Sequence, residues 1–133
     1  MIEFITNVRV LYAHTDTMGV VSNVRYLEYF EAGRNEFLRK IGFPYTEMEK
    51  ENIALPVIEA NLKYISTAKY DDLIQIKAKI NELPTVKIKI LYELSVQDKL
   101  ITTGFTIHSF INLKTFKPTR PPEKLIKLIK EII

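Results

Sequence analysis

Four stretches of the chain alternate apolar and polar residues with a period of two, the pattern of strands with one covered and one wetter face. In residues 57–64, Ile58, Ala60, Leu62 and Tyr64 stand against Val57, Glu59, Asn61 and Lys63. In 73–80, Ile74, Ile76, Ala78 and Ile80 face Leu73, Gln75, Lys77 and Lys79. In 86–94, Val86, Ile88, Ile90, Tyr92 and Leu94 alternate with Lys87, Lys89, Leu91 and Glu93. The last run sets Thr103, Phe105, Ile107, Ser109, Ile111 and Leu113 against Thr102, Gly104, Thr106, His108, Phe110 and Asn112, which puts His108 on the wetter face. The opening segment, Ile2 to Tyr12, is rich in β-branched and aromatic residues and reads as a fifth strand, with Val8, Val10 and Tyr12 on one side.

Between Tyr26 and Ile41 the period becomes helical. Leu27, Phe30, Phe37, Leu38 and Ile41 form one broad apolar stripe. Glu28 and Glu31 come early and Arg39 and Lys40 late, as the helix dipole favours. Asn23 serves as the N-cap, Gly42 as the stop, and Pro44 blocks continuation. Gly33, in mid-helix, costs about 1 kcal/mol against alanine, so its bare surface points to a closely packed neighbour. Pro44 to Glu51 reads as a short helical stretch. Pro121-Pro122 introduce a closing helix, Glu123 to Ile133, with Leu125, Ile129 and Ile132 as its stripe. Strand, long helix, then four strands predicts one α+β domain spanning residues 1–133, a five-stranded antiparallel sheet covered by one helix. Its edge strands and half-charged outer face favour self-association.

Composition narrows the chemistry. The 133 residues include no cysteine, which removes disulfides, thiolate nucleophiles and zinc-finger or iron–sulfur sites. The two histidines, His14 and His108, are too far apart for H-E-x-x-H, and the four glycines form no phosphate loop. No serine lies in a G-x-S-x-G turn. No metal or cofactor is expected. A net charge of +3 with acids among the bases speaks against nucleic acid. The start of the chain carries no signal-like pattern, and no run suits membrane insertion, so a soluble, cytoplasmic protein is expected.

The loop His14-Thr15-Asp16-Thr17-Met18-Gly19 concentrates an imidazole, a carboxylate, two hydroxyls and a glycine beside a helix start. Unpaired N–H groups there can polarise a carbonyl, and an Asp within reach can attack it or activate water. The plainer reading is that Asp16 satisfies loop amides and that His14 is a solvent-facing loop histidine. Glu31 reads as part of a solvated face or as a partner of Arg34. Lys114, Lys117, Arg120, Lys124, Lys127 and Lys130 crowd the tail. They fit a solvated helix face, or a rim that meets phosphates or an acidic partner.

Asp16-Thr17-Met18-Gly19-Val20-Val21, followed by Tyr26-Leu27-Glu28-Tyr29-Phe30-Glu31 with Arg34, resembles the start of the 4-hydroxybenzoyl-CoA thioesterase family of hotdog-fold acyl-CoA hydrolases. Leu55-Pro56-Val57-Ile58-Glu59, Tyr64, Tyr70-Asp71-Asp72, Gly104 to His108 and Lys117 to Pro121 extend the resemblance over about residues 8 to 121. It implies a hotdog fold and thioester hydrolysis at a site between subunits of a homodimer or homotetramer. The substrate would be an acyl-CoA or acyl carrier protein thioester. The family's catalytic carboxylate falls on Asp16, as nucleophile or as base for water. Gly19, Val20, Ser22, Asn23, Tyr26 and Tyr64 then become substrate-binding positions, with His14 and Glu31 as supporting candidates. The chain departs from the family where Ser22-Asn23 replace a frequent Tyr-His pair, so an imidazole is absent there. That departure keeps two alternatives open, a non-catalytic acyl-thioester binder and a hydratase or dehydratase using His14 with Asp16.

Overall fold

The computed structural model describes residues 1–133 and places one long helix across a five-stranded antiparallel sheet. The strands are β1 (Ile2–Arg9), β2 (Ile53–Ala54), β3 (Val57–Tyr64), β4 (Leu73–Ile80), β5 (Lys87–Val96), β6 (Lys99–Ser109), β7 (Ile111–Asn112) and β8 (Lys117–Pro118). The helices are α1 (Tyr26–Ile41), α2 (Tyr45–Lys50) and α3 (Glu123–Ile132). The main sheet runs β1-β4-β5-β6-β3, and β2-β7-β8 form a small second sheet. This is the expected hotdog arrangement, with a short C-terminal helix. The small sheet was not anticipated, because two-residue strands carry no periodic signal. No helix is long and apolar enough to cross a membrane.

β4 and β5 follow their alternation: Ile74, Ile76, Ala78 and Ile80, then Ile88, Ile90, Tyr92 and Leu94, are all buried. β6 reverses its expected phase. Register pairs Ile88 with His108, Ile90 with Thr106, Tyr92 with Gly104 and Leu94 with Thr102. Opposed residues share a face, so the polar set of β6 points inward. His108 is fully buried rather than on the wetter face, together with Thr102 and Thr106. The strand also stops at Ser109: Phe110 is buried, and its N–H donates to Val86 O instead. β3 is an edge strand, largely exposed on both faces despite its alternation.

The inner face of α1 is Tyr26, Tyr29, Phe30, Gly33, Phe37, Leu38 and Ile41. Leu27, expected in the stripe, is 45% exposed, and Tyr29 takes the covered position. A Cβ on Gly33 would come within 2.6 Å of Ile76 Cγ2, so helix and sheet touch where the sequence demanded bare backbone. Gly104 has the same duty from the sheet side, since a Cβ there would collide with Asn61 O and the Phe30 ring. Phe30 stacks on Tyr92 with centroids 4.1 Å apart. Gly42 ends α1 in the left-handed region, as read. The start differs: Asn23 opens a 3-10 turn, Asn23–Arg25, that runs into the helix, and its side chain caps nothing. Likewise β1 ends at Arg9, and Tyr12–His14 form a 3-10 turn that leaves Tyr12 exposed against Tyr70. In α3, Leu125 and Ile129 are buried, but Ile132 lies half-exposed near the free end.

Candidate active site

The loop between β1 and α1 is a tight antiparallel hairpin. Ser22 N–H donates to His14 O and Asp16 N–H to Val20 O, each over 2.9 Å, and Thr15 bridges Val21. Gly19 N–H closes the turn onto Asp16 O, with Gly19 at φ +80°, a conformation side chains resist. Val20 bridges Lys69, and Val21 N–H donates to Ala68 O, so the loop is fastened to the segment before β4.

Asp16 is half-buried at the hairpin end. Its Oδ1 accepts the Met18 N–H at 2.8 Å, the Asx-type turn that the plainer reading required. Its Oδ2 has no protein partner, so one oxygen is fixed while the other is free. Nearby, the 3-10 turn leaves two backbone donors unused. Arg25 N–H donates to Ser22 O, but the N–H groups of Asn23 and Val24 meet no backbone or side-chain acceptor. The sequence reading of unpaired donors at this helix start therefore holds, even though Asn23 is not a cap.

The remaining expected residues divide. Tyr26 is 3% exposed, and burial raises its hydroxyl above the ordinary value while a backbone hydrogen bond with Ala68 pulls it down. Tyr64 packs edge-on against Tyr26 at 5.3 Å and donates its hydroxyl to Asn23 O at 3.1 Å, which fastens the 3-10 turn to β3. His14 is not the solvent-facing histidine of the plainer reading; it is half-buried, with Nδ1 2.9 Å from the Tyr29 hydroxyl. No hydrogen bond joins His14 to Asp16. Glu31 pairs with Arg34 at 3.6 Å, as read, on a separate cleft of about 360 Å3 that no residue of the Asp16 loop lines.

Sequence reasoning missed a buried polar chain and the role of Tyr29. Tyr92 Oη lies 2.6 Å from Thr106 Oγ1, which lies 2.8 Å from His108 Nε2, and His108 Nδ1 is 2.9 Å from Leu55 O. A carbonyl only accepts, so Nδ1 carries the proton, Nε2 accepts from Thr106, and Thr106 accepts from Tyr92. Burial drives His108 down to about 4; the charge of Arg34 adds to this and the Leu55 carbonyl opposes it. The ring is neutral and fully bonded. Only the register of β6 on β5 exposes this chain.

The fold and loop define a hotdog domain of the thioesterase type. The family model for the thioesterase-like superfamily matches residues 10–129, and the chain belongs to that superfamily. An acyl-CoA thioesterase, YbgC of Haemophilus influenzae, is 30% identical over 119 residues, covering 89% of this chain and 88% of its own. DHNA-CoA thioesterase from Staphylococcus aureus superposes with a TM-score of 0.93 at 31% identity, over 99% of this chain and 91% of that one. The hypothetical protein TT1821 from Thermus thermophilus gives a TM-score of 0.91 at 29% identity, over 99% and 98%.

Proposed function

We propose that the chain is an acyl-CoA thioester hydrolase that works at the Asp16 loop, releasing a carboxylic acid and free CoA. One observation carries the reading: the hairpin that holds a carboxylate with one oxygen pinned by Met18 N–H and one free runs directly into a 3-10 turn with the unused N–H groups of Asn23 and Val24. A thioester carbonyl set between them meets its nucleophile on one side and donors for its developing negative charge on the other. Asp16 Oδ2 then attacks the carbonyl carbon, expelling the CoA thiolate and giving a mixed anhydride that water cleaves to the free acid and Asp16, or it takes a proton from the water that attacks. Relatives named as an acyl-CoA thioesterase and a DHNA-CoA thioesterase support a CoA thioester as the substrate class. An acyl carrier protein thioester is the competing carrier, and a thiol-release screen over both carriers decides it.

Asp16→Asn keeps the Met18 N–H contact and the fold, and is expected to lower kcat/KM by about 100-fold or more. Turnover equal to wild type removes Asp16 from the mechanism. The hydratase alternative loses support because no hydrogen bond pairs His14 with Asp16, and its Nδ1 is taken by Leu11 N–H and Tyr29. Interconversion of enoyl-CoA and 3-hydroxyacyl-CoA without thiol release restores it. Tight acyl-CoA binding with no turnover favours the non-catalytic binder.

The site is open on the outside, and the assembly proposed for it is a homodimer or homotetramer. Tyr12, Met18, Val24, Leu27 and Tyr70 around the loop are all at least 45% exposed, and the unpaired edge of β3 adds Val57, Ile58 and Tyr64. An apolar surface beside an open sheet edge calls for a cover. Sedimentation velocity is expected to give a dimer or larger; a monomer at assay concentration removes the interfacial site.

A further inference from the structure

Two donors converge on one atom in the Asp16 loop. The Leu11 N–H reaches His14 Nδ1 over 3.2 Å, and the Tyr29 hydroxyl lies 2.9 Å from the same nitrogen. An amide N–H can only donate, so Nδ1 is an acceptor, and the proton of the neutral ring is on Nε2. Tyr29 is 3% exposed, and its hydroxyl is pushed up to about 12, first by burial and further by Tyr26 and Glu28, against the opposing charge of Arg25. It therefore keeps its proton at neutral pH and donates it to the ring.

The ring is also held from its face. Tyr29 lies edge-on to it with centroids 5.5 Å apart, Tyr26 is edge-on to Tyr29 at 5.7 Å, and Tyr64 follows at 5.3 Å. Such aromatic contacts are specific in angle as well as apolar. The hairpin register then matters. His14 stands opposite Ser22 and Asp16 opposite Val20 around the Thr15–Val21 bridge, which sets the two side chains two residues apart on one arm of the hairpin. Nε2–H has no acceptor within the protein. The loop thus carries, two residues apart, a carboxylate with a free oxygen and an imidazole with a free, directionally fixed N–H.

We propose that His14 is a second substrate-contacting group of this site, donating a hydrogen bond from Nε2–H to the bound thioester, and that Tyr29 is the positioning residue that fixes its tautomer. The proposal rests on the hydrolase reading and deepens it. A neutral donor needs no proton transfer, so the imidazole absent from the Ser22-Asn23 position is not required for this role. His14 adds to the Asn23 and Val24 amides as a donor to the same substrate group.

The two histidines allow a direct test, because each resonance is assigned by one variant. In the 15N-histidine-labelled protein, His14 is expected as the Nε2–H tautomer and His108 as the Nδ1–H tautomer. Addition of a non-hydrolysable ketone analogue of an acyl-CoA should shift the His14 Nε2–H signal and leave His108 in place. His14→Ala is expected to lower kcat/KM by about 100-fold, the scale for losing one donor to a developing oxyanion. His14→Gln, whose amide N–H reaches the Nε2 position, should recover most of that loss and guards against a folding artefact. Tyr29→Phe should reduce kcat by about 10-fold, the loss of one orienting hydrogen bond, with a mixture of His14 tautomers in the spectrum. An Nδ1–H tautomer at His14, or an analogue that binds without moving its signal, overturns the proposal. So does wild-type kcat/KM in His14→Ala. If Asp16→Asn is inactive in that same assay, the hydrolase reading at this loop survives the failure; if it too is fully active, Asp16 and His14 both leave the mechanism and hydrolysis must occur elsewhere.

Discussion

The two imidazoles of this chain show how one side chain becomes either structure or equipment. His108, on β6 beneath α1, spends both nitrogens: Nδ1–H on Leu55 O and Nε2 on Thr106, which in turn accepts from Tyr92. His14, half-buried at the loop, spends one nitrogen twice, on Leu11 N–H and Tyr29, and leaves the other free. The rings are held in opposite tautomers by opposite means, a carbonyl in one case and an amide in the other. Burial alone does not separate their roles. What separates them is whether a donor remains unspent.

The sharpest way to break the contrast is to remove the buried ring. His108→Leu strands Leu55 O and the Thr106 hydroxyl in the core, and is expected to cost about 3 kcal/mol in urea unfolding, with the surviving folded fraction as active as wild type. Lost catalysis per folded molecule would place His108 in the site after all.

Titration gives a second contrast of nearly the same size. His108 is about 4 in the folded protein and 6.5 ordinarily, so between those values the unfolded chain binds the extra proton. Stability from this group is complete above pH 6.5 and is lost as pH falls towards 4. The loss is on the order of 3 kcal/mol. Unfolding midpoints followed from pH 7 to 4 in wild type and in His108→Gln should diverge in that window. Parallel curves mean that the ring is not held neutral.

The smallest effect belongs to the loop. His14→Gln takes the Nδ1 acceptor from the Tyr29 hydroxyl and the Leu11 N–H, and is expected to cost about 1 kcal/mol. A melting temperature that collapses in this variant would make His14 a structural histidine like its counterpart.

How much of this was legible in advance depended on how each element is covered. β4 and β5 were readable because their inner residues are aliphatic apart from Tyr92 and their outer ones are largely charged. β6 was not, because Phe105 and Ile107 look like core while Thr106 and His108 look like surface. Only cross-strand register reverses that impression. Leu27 lost its place in the helix stripe to Tyr29, whose hydroxyl found a partner fifteen residues back at His14. No local pattern announces a pair at that separation. Gly33 was readable as a close contact because nothing else explains a glycine in mid-helix. Asp16 stood out through the density of reactive side chains around it, whereas the unused amides at Asn23 and Val24 emerged only when every backbone bond was traced.

The two glycines that bring helix and sheet together set where an acyl chain can go. With Gly33 seated on Ile76 and Phe30 stacked on Tyr92, the layer between α1 and the sheet is already full. A substrate tail therefore cannot pass between those contacts, which leaves it the outer side of the helix or the cleft beside Leu38, Tyr45 and Leu55. Under the hydrolase reading, the ruler for acyl length belongs to the outside of the domain. Substitutions on its outer surface would retune chain-length preference without disturbing the core.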